Sequence, residues 1–550
     1  MNPTLGAKDA TDAPDRQPSR DGRQAPARPG RPGLVAFVGA GPGDAGLLTL
    51  RGAELLGDAD LIVGRPDVTR KIAHLLRENT TVTDSAELEQ DPRLLIKAAK
   101  GGKLVVRLSV GDPLLFCHLA QEADACAKAR VRLEIVPGVP AATGVPGYAG
   151  IPLTGTGGNL RIVHASDLSR VARENGVTDS VVVLGAESSP VDIAKMLLSV
   201  GWADATPMAI TWKGTTTDQH TVVTKLSSVA ADLKAAGVSV LAEDGPALAV
   251  VGAAAAHQGL SWFETKPLFG WRVLVPRTKE QAASLCDRLR SHGAVPEVVP
   301  TIAVEPPRTP QQMERAIKGL VTGRYQWIAF TSANAVRAVR EKLEEYGLDA
   351  RAFAGVSVAA VGEQTAAALG QFGIKPDLVP DSEQSSEGLA AVWPPYDEAL
   401  DPMNRVLLPR ADIATETLAA RLTELGWEAE DVTAYRTVRA SPPPAPIREA
   451  IKTGGFDAVL FTSSSTVRNL IGIAGKPHAI TVVVVIGPQT AQTAAEYGLR
   501  VDVMAPKPSA TALVDALAEH GARLRDAAVE AGEPVRKPSE RRRGARRRLR

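Results

Sequence analysis

The sequence predicts an α/β protein built from several domains. From Leu34 onward, short runs of Val, Leu, Ile and Ala alternate with longer segments of helical periodicity, which is typical of βα units around a mostly parallel sheet. The second half also repeats three strand–turn–helix blocks in the same order. Finally, 550 residues exceed what one hydrophobic core can hold, because domains run to roughly 100–200 residues.

Composition predicts a soluble chain. Apolar residues make up 44% and charged residues 23%, and no run approaches the roughly 18 consecutive apolar residues of a membrane span. Residues 1–33 lack an apolar stretch behind a basic start, so we expect a disordered leader there and no secretory signal. These features favour a cytoplasmic protein that does not associate with membranes.

Cysteine and histidine usage argues against a disulfide framework and a bound metal. The eight histidines form no HxxxH or HExxH pair. The three cysteines, which have no CxxC spacing, are Cys117, Cys126 and Cys286. We therefore expect a reducing compartment and no metal ligands.

The net charge of +1 conceals a basic C-terminus. The last fifteen residues, RKPSERRRGARRRLR, carry a local net charge of +8. We interpret 520–550 as a disordered basic tail, because like charges this dense repel one another. The alternative is nucleic-acid binding, which predicts a steep salt dependence of affinity that disappears when residues after Val535 are removed.

The alternating pattern is interrupted once, near the middle of the chain. There HQGLSWFETKPLFGW, at 257–271, clusters aromatic residues and a proline, and a new strand RVLVPR begins directly after it. We therefore predict a first domain over 34–265 and a second over 271–519.

The second domain contains an internal duplication. The block WRVLVPRTKE from Trp271 returns as NRVLLPRADI from Asn404, at an offset of about 133 residues. YQWIAFTS and VSVAAVGEQTA return, in the same order, as FDAVLFTS and TVVVVIGPQTA. Because each copy would form a small open α/β sheet, two similar lobes should face each other across a cleft.

The turns of the duplicated blocks predict an anion-binding cleft. Ligands of open α/β sheets bind beyond the carboxyl ends of the strands, where the FTS, VGEQTA and IGPQTA turns fall. Helix N-termini there offer unpaired amides and partial positive charge. No P-loop, dinucleotide-binding glycine turn or acidic metal pair accompanies them, which disfavours a nucleotide with Mg²⁺. The candidate binding residues, each with helix capping as its alternative role, are Ser332, Thr365, Ser463 and Thr490.

Across about 250 residues, this ordered set of motifs resembles uroporphyrinogen-III synthases, together with the segment GWEAEDVTAYRT. The resemblance implies two flavodoxin-like lobes joined by a two-stranded linker. Lobe one would comprise 271–305 plus 437–519, and lobe two 306–436. The implied reaction closes hydroxymethylbilane to uroporphyrinogen III with inversion of ring D.

The same resemblance assigns roles to side chains. Tyr435 of AYRT would assist loss of the bilane hydroxyl as a hydrogen-bond donor or acid; the alternative is a hinge tyrosine with a satisfied hydroxyl. The four turns would bind substrate carboxylates or pyrrole groups. Because the electron-rich pyrrole drives the expulsion, the protein would mainly supply geometry, and no cofactor is expected in this domain.

A second ordered set of motifs lies in the first domain, where LVAFVGAGPGD, VVRLSVGDPLLF and EIVPGVPAATG occur in that order. It resembles the tetrapyrrole methylases, and most closely the uroporphyrinogen-III C-methyltransferases. The resemblance implies two α/β subdomains that hold S-adenosylmethionine between them, and a homodimer formed through this domain. The implied cofactor-binding positions are Pro42, Gly111, Asp112, Leu184 and Gly214. The alternative for Asp112 is a turn-capping carboxylate.

Several residues depart from the methylase pattern. Arg65 stands where the family has a functional Asp, and Asp67 comes two positions late. Further departures are Val110, Pro140, Leu184, Gly155 and Thr156. A retained fold with altered or absent activity would have such a sequence.

The two resemblances predict a synthase fused to a C-methyltransferase-like domain, active in haem formation and, where methylation occurs, in supplying precorrin-2 for sirohaem or cobalamin. Fusion would raise the effective concentration of their shared intermediate. The alternative is a synthase with a noncatalytic, dimerising or regulatory methylase-fold module, which would bind S-adenosylmethionine without turnover. A hinged periplasmic-type binding protein is a further hypothesis, which the missing export signal disfavours.

Overall fold

The computed structural model describes residues 33–88, 91–115, 119–154, 158–170, 180–185, 189–236, 247–257, 259–381, 383–412 and 417–541. Sequence expectations that lie outside these residues concern the leader 1–32, Cys117, Gly155, Thr156 and the tail 542–550. In the described part of the chain, no helix combines the length and the apolar character needed to cross a bilayer.

The first sheet is parallel and covered by helices on both faces. Its strands and helices are β1 (Leu34–Gly39), α1 (Leu50–Asp58), β2 (Leu61–Gly64), α2 (Pro66–Thr69), β3 (Thr81–Asp84), α3 (Arg93–Lys100), β4 (Leu104–Ser109), α4 (Leu119–Lys128) and β5 (Arg132–Val136). The strand order is β3-β2-β4-β1-β5. Val35 and Phe37 pack with α3 and α4, whereas Ala36 and Val38 pack with α1 on the other face. Burial of both faces explains why β1 reads as a continuous apolar run.

The second sheet is mixed and follows directly. Its elements are α5 (Ala141–Ala149), β6 (Leu160–His164), β7 (Ser180–Leu184), α6 (Pro190–Ser199), β8 (Pro207–Trp212), β9 (His220–Lys225), α7 (Val229–Ala235) and β10 (Ala247–Val251). The order is β6-β7-β10-β8-β9, in which β6 and β7 are parallel and the other pairs antiparallel. The first domain therefore consists of two α/β subdomains.

The second domain contains two further five-stranded sheets. Its elements are β11 (Arg272–Val275), α8 (Lys279–Ser291), β12 (Val295–Val298), β13 (Ile302–Glu305), α9 (Pro310–Val321), β14 (Trp327–Phe330), α10 (Ala333–Glu345), β15 (Ser357–Ala360), α11 (Glu363–Gln371), α12 (Ser386–Val392), β16 (Arg405–Ala411), α13 (Thr417–Glu424), β17 (Glu428–Arg439), α14 (Ala445–Thr453), β18 (Ala458–Phe461), α15 (Ser464–Ala474), β19 (Val482–Val485), α16 (Pro488–Glu496), β20 (Val503–Met504) and α17 (Ala510–Glu530).

The two sheets repeat the same pairing of equivalent strands. Lobe one has the order β12-β11-β18-β19-β20, and lobe two has β13-β17-β16-β14-β15. Val275 lies opposite Val298 in lobe one, and the equivalent Leu408 lies opposite Asp431 in lobe two. The predicted α/β class, with a two-part first domain followed by two α/β lobes, is confirmed.

A two-stranded ribbon carries the chain into and out of lobe two. β13 is antiparallel to the end of β17, so that Ile302 pairs with Arg439 and Glu305 pairs with Arg436. The predicted lobe boundaries at 305/306 and 436/437 fall at the lobe-two end of this ribbon. Because β17 also pairs with β16, the ribbon is continuous with the lobe-two sheet.

The connector, which we define as residues 259–270, joins the first domain to lobe one through specific contacts. The Trp262 indole N–H donates to the carbonyl of Gly147 in α5 at 3.0 Å. The Leu268 N–H donates to the carbonyl of His292, just after α8, at 3.0 Å. The connector is thus anchored on both domains.

The C-terminal segment differs from the disorder expected for 520–550. α17 continues to Glu530. Beyond it, the Ser539 N–H donates to Asp457 Oδ1 at 2.9 Å, and Lys537 Nζ donates to the carbonyl of Gly270 at 3.2 Å. The difference has a physical reason, since residues 520–535 carry mixed charges, and the dense positive charge begins only at Arg541.

Candidate active sites

The predicted turns of the second domain lie at the carboxyl ends of neighbouring parallel strands. In lobe two, Ser332 follows β14 and Thr365 follows β15, which pairs with β14. In lobe one, Ser463 follows β18 and Thr490 follows β19, which again pair. The structure therefore brings the four residues together as one pair on each lobe.

Tyr435 and Ser332 are in direct contact. The Tyr435 hydroxyl lies 3.0 Å from Ser332 Oγ, and Tyr435 is only 7% exposed on β17. Ser332 is also the N-cap of α10, because its Oγ accepts the Ala335 N–H at 3.2 Å. Both roles predicted for Ser332, a helix cap and a site residue, are thus compatible with its position.

Ser463, the equivalent of Ser332 in lobe one, caps α15. It forms a capping box with Thr466, in which the Ser463 side chain accepts the Thr466 N–H and the Thr466 hydroxyl accepts the Ser463 N–H. Its Oγ also lies 2.9 Å from Ser465 Oγ. Lobe one therefore has the cap but places a serine, not a tyrosine, against it.

Thr365 and Thr490 are the third residues of α11 and α16 and are both 4% exposed. Among the described residues, neither hydroxyl makes a hydrogen bond. The N-cap residues of these helices are Gly362 and Gly487, which have no side chain to cap the first turn. The first turns of these helices therefore depend on other groups for their unpaired amides.

Gln384 supplies such a group in lobe two. Its Oε1 accepts the Glu363 N–H at 3.3 Å at the start of α11. This contact could not be expected from the duplicated blocks, because Gln384 lies outside them, between α11 and α12. One of the helix N-termini predicted to be open is therefore occupied by the protein itself.

In the first domain, three glycine turns meet at the carboxyl edge of the first sheet. Gly41 and Gly111 exchange backbone hydrogen bonds of 3.2 and 2.8 Å, and both have positive φ. A Cβ on Gly138 would lie 2.2 Å from the Gly111 carbonyl oxygen. Only glycine permits this approach, so the turns after β1, β4 and β5 form one bare backbone surface.

Asp112 holds these turns together. Its Oδ1 accepts the Leu114 N–H at 2.7 Å, and its Oδ2 accepts the Gly138 N–H at 3.2 Å. The capping role considered as an alternative for Asp112 is therefore present in the structure.

The second subdomain meets the Pro42 turn through Gly214 and its neighbour. The Asp44 N–H donates to Thr215 Oγ1 at 3.0 Å, and a Cβ on Gly43 would lie 2.9 Å from the Gly214 carbonyl. Thr215 was not among the residues expected at this site; it is buried, and its positive φ is unusual for a non-glycine residue.

Helix α5 lies beside these turns and anchors them. The Tyr148 hydroxyl donates to Asp44 Oδ2 at 2.8 Å, and burial together with this bond raises the pKa of Tyr148. Leu184, at the end of β7, packs against the same hydrophobic cluster as Val145 of α5. A Cβ on Gly214 would lie 2.5 Å from Val145 Cγ1. Helix α5 thus lies close to three of the predicted cofactor-binding residues, which are Pro42, Leu184 and Gly214.

Arg65 neutralises the carboxylate that follows it. Arg65 Nε lies 3.0 Å from Asp67 Oδ1, and Nη2 lies 2.7 Å from Oδ2. Burial opposes ionisation of Asp67, but the hydrogen bonds and charge of Arg65 outweigh it and lower the pKa of the carboxyl. Asp67 therefore does not offer a free carboxylate in place of the one that Arg65 replaces.

Comparison with known families agrees with this architecture. The model for uroporphyrinogen-III synthase HemD matches residues 283–515, and the model for tetrapyrrole (corrin/porphyrin) methylases matches residues 34–230. Both resemblances drawn from the sequence are confirmed.

Related proteins match different shares of the chain. The porphyrin biosynthesis protein HemD of Ruminiclostridium josui is 31% identical over 513 residues, which cover 88% of this chain and 98% of that protein. The uroporphyrinogen-III C-methyltransferase of Bacillus subtilis is 30% identical over 370 residues, covering 64% of this chain and 74% of the relative. For siroheme synthase 1 of Klebsiella pneumoniae the identity is 34%, and the chain spans 51% of that protein's length.

Solved structures are also similar to parts of the chain. Uroporphyrin-III C-methyltransferase from Thermus thermophilus has 31% identity and a TM-score of 0.34, covering 40% of this chain and 98% of its own. A mutant uroporphyrinogen III synthase from the same species has 18% identity and a TM-score of 0.32, covering 46% and 99%. From the family models and the near full-length relative, the chain belongs to the family of the porphyrin biosynthesis protein HemD and joins a tetrapyrrole methylase domain to a uroporphyrinogen-III synthase domain.

Proposed function

We propose that the synthase domain closes hydroxymethylbilane to uroporphyrinogen III between its two lobes, with inversion of ring D. The observation that carries this proposal is the contact of Tyr435 with Ser332 at the carboxyl edge of lobe two, 3.0 Å between their oxygens. A buried phenol beside a helix N-terminus can donate a proton where a hydroxyl leaves.

The hydrogen bonds of Ser332 favour this donor role for Tyr435. Ser332 Oγ already accepts the Ala335 N–H, so its own proton can point to the Tyr435 oxygen. The phenol proton is then available to the bilane hydroxyl, which departs as water while the pyrrole nitrogen supplies the electron pair. Ring closure through a spiro intermediate releases a ring proton, which restores the phenol.

The remaining turns have a binding role in this proposal. The substrate's carboxylates would meet the helix N-termini at Ser332, Ser463 and Thr490 and, at Thr365, the amides that Gln384 leaves unpaired. Because Thr365 and Thr490 are buried, the amides of their helices are better placed than the hydroxyls to bind an anion. No chemistry is assigned to these residues beyond positioning.

The test is to incubate the purified chain with freshly generated hydroxymethylbilane and to separate the porphyrinogen isomers. Type III product above the spontaneous background is the expected result. Only the spontaneous type I isomer would overturn the proposed activity.

We further propose that the methylase domain binds S-adenosylmethionine, a methyl donor, and methylates uroporphyrinogen III. The bare backbone of the glycine turns, held by Asp112, suits a ligand that must approach the main chain closely. Pro42, Gly111, Asp112, Leu184 and Gly214 would hold it.

A second candidate function for this domain is a noncatalytic module that steadies or regulates the synthase. The bidentate pair of Arg65 with Asp67 favours it, because this pair removes a free carboxylate from the carboxyl edge of the first sheet. Methyl-labelled S-adenosylmethionine in the same incubation separates the two functions. Label in a dimethylated product supports methylation, whereas binding measured by calorimetry without transfer supports the module.

Assembly and location complete the proposal. A homodimer through the first domain is supported by Leu133 and Ile135, which are each 39% exposed on the edge strand β5. The buried free thiols of Cys126 and Cys286 suit a reducing cytoplasm. Light scattering of the full chain and of a Leu133→Lys variant tests the dimer, which the variant should weaken.

A further inference from the structure

The internal duplication places two arginines at equivalent positions. Arg277 follows β11 in WRVLVPR, and Arg410 occupies the same place on β16 in NRVLLPR. The registers also agree, because Val275 faces Val298 in lobe one where Leu408 faces Asp431 in lobe two. The two arginines are therefore structurally equivalent, and any difference in their contacts is a real difference between the lobes.

In lobe two the arginine is neutralised within the sheet. Arg410 Nη2 lies 2.6 Å from Asp431 Oδ2, and the Arg410 side chain is 15% exposed. This charge-assisted hydrogen bond offsets the cost of partly burying the guanidinium.

In lobe one the matching carboxylate is missing. Val298 stands where lobe two has Asp431, and it packs against the core that contains Val275. Arg277 is partly buried, and over the described residues its side chain forms neither an ion pair nor a hydrogen bond. Burial alone lowers the pKa of Arg277.

A second contrast between the lobes points the same way. Gln384, directly before the N-cap of α12, reaches the start of α11, and a Cβ on Gly362 would lie 2.7 Å from its Oε1. Pro508 holds the equivalent place before the N-cap of α17 and has no amide to offer. Apart from the adjoining residues of the chain, no described atom lies within 4 Å of a Cβ built on Gly487. In lobe two, both the arginine and the helix N-terminus are therefore paired with groups of the protein. In lobe one, both are left open to an anion.

We propose that Arg277 binds a carboxylate of the tetrapyrrole substrate, so that lobe one carries the main carboxylate site of the synthase domain. This inference rests on the proposed synthase function. A partly buried guanidinium without a partner suits a bidentate carboxylate, and the open start of α16 lies two strands away in the same sheet edge. Arg277 acts in binding and positioning, while Tyr435 remains the residue of the chemical step.

The first experiment compares Arg277→Gln with Arg410→Gln in the full-length chain. We expect Arg277→Gln to raise KM for hydroxymethylbilane by roughly 10- to 100-fold, because a charge-assisted bond to the substrate is lost, with kcat within about threefold. Arg410→Gln is the matched control and should leave KM within about threefold of wild type, since its partner is Asp431. Arg277→Lys keeps the positive charge but loses the two-pronged hydrogen-bonding geometry of the guanidinium. Its KM should lie between those of wild type and Arg277→Gln.

The second experiment introduces into lobe one the carboxylate that pairs with the arginine in lobe two. Val298→Asp supplies the carboxylate that Arg277 lacks, and we expect a KM increase similar to that of Arg277→Gln while Arg277 itself is intact. Thermal unfolding and far-ultraviolet circular dichroism check that the variant is folded, and Val298→Asn controls for polarity without charge.

The outcomes separate this inference from the proposed function. If wild type makes no type III isomer, the synthase function fails. If wild type is active and Arg277→Gln has an unchanged KM, the function stands and the role of Arg277 is overturned. A fall in kcat alone would also overturn it, because binding residues act on KM.

Discussion

The hydroxyl of Tyr435 lies 3.0 Å from Ser332 Oγ, so the strand that leaves lobe two is tied to the first turn of a helix within that lobe. Directly after Tyr435, the same strand enters the ribbon, where Arg436 pairs with Glu305. A rotation of the lobes about the ribbon would therefore act next to the residue proposed for chemistry. Ser332 is the group that fixes the phenol during such a movement.

Replacing Tyr435 by Phe should remove the proton donor while keeping the ring in place. We expect kcat for type III formation to fall by roughly 100-fold or more, as is typical when a general acid is lost. The cost in stability should be about 1 kcal/mol, because one hydrogen bond with Ser332 is lost. Initial rates and thermal unfolding of the variant give both quantities.

Tyr396→Phe is the matched control for that substitution. Tyr396 packs edge-on against Trp427, with ring centroids 5.3 Å apart, in a different cluster of lobe two. Its kcat should equal that of wild type. More than half of the wild-type kcat in Tyr435→Phe would contradict the assignment of the phenol.

Ser332 should show two separable effects. Ser332→Ala loses the helix cap, at a cost of about 1 kcal/mol in the free energy of unfolding, and also the partner of Tyr435. Ser332→Thr keeps a hydroxyl for both. We expect the alanine variant to have a lowered kcat and the threonine variant to keep most of the wild-type kcat. If both variants have the wild-type kcat, Ser332 only caps α10.

The sequence predicted the lobes well because each duplicated block combines buried strand, turn and helix within about 25 residues, all local signals. Ser332 and Tyr435 were both identifiable, but their contact was not, because 103 residues separate them. Three other contacts also depend on residues that meet only after the sheets form. They are the Gln384 cap, the Arg410–Asp431 pair and the Thr215–Asp44 bond. Tail disorder was overestimated at 520–541 because the charge of the whole segment was dominated by its last ten residues.

Glu264 of the connector should control the stability of the methylase domain. Its Oε1 accepts from Gln219 Nε2 at 2.8 Å and from Thr221 Oγ1 at 2.6 Å. Gln219 Oε1 in turn accepts the Thr215 N–H at 2.7 Å. Glu264→Ala leaves buried donors unsatisfied, so we expect a loss of about 2–4 kcal/mol in unfolding free energy and weaker binding of S-adenosylmethionine.

Calorimetric unfolding and titration with S-adenosylmethionine measure these effects. Ser261→Ala, an exposed position on the same connector, should change neither. Unchanged stability in Glu264→Ala would mean that the connector merely lies against the first domain.

Cys286 should be unreactive in the native chain. Burial, with a smaller effect of the Asp287 charge, raises the pKa of its thiol from 9.0 to about 12. At pH 8 the thiolate fraction is then about one in ten thousand. In a Cys117→Ser background we expect no labelling by a thiol-specific disulfide reagent until guanidinium unfolds the chain; rapid labelling of native Cys286 would contradict its burial.

The same shift predicts a pH dependence of stability. The native thiol holds its proton more tightly than the unfolded thiol, so its contribution is complete below pH 9 and is lost as pH rises towards 12. Between these limits, this group lowers the free energy of unfolding by about 1.4 kcal/mol for each pH unit. Cys286→Ala should unfold with a shallower pH dependence than wild type above pH 9, and identical slopes would rule out this contribution.

The pair of Arg65 with Asp67 gives a test of the methylase domain. In the wild type, the guanidinium occupies both carboxylate oxygens of Asp67, at 3.0 and 2.7 Å. Arg65→Asp places a carboxylate at the position where the sequence resemblance to the methyltransferases implies a functional Asp. We expect methyl transfer to uroporphyrinogen III to rise by about tenfold, which is a change of about 1.4 kcal/mol in the activation free energy. The Kd of S-adenosylmethionine should be unchanged, because the glycine turns are untouched.

Arg70→Asp provides the control, since Arg70 is exposed on the same segment and its Nε donates to the carbonyl of Pro66 at 3.1 Å. It introduces the same change of charge without altering position 65, so transfer should equal that of wild type. If Arg65→Asp instead abolishes a methylation that wild type performs, Arg65 itself supports the reaction, and the noncatalytic alternative fails. If neither protein transfers label while both bind S-adenosylmethionine, the loss of activity lies beyond position 65, and the role of the domain is to hold the cofactor beside the synthase.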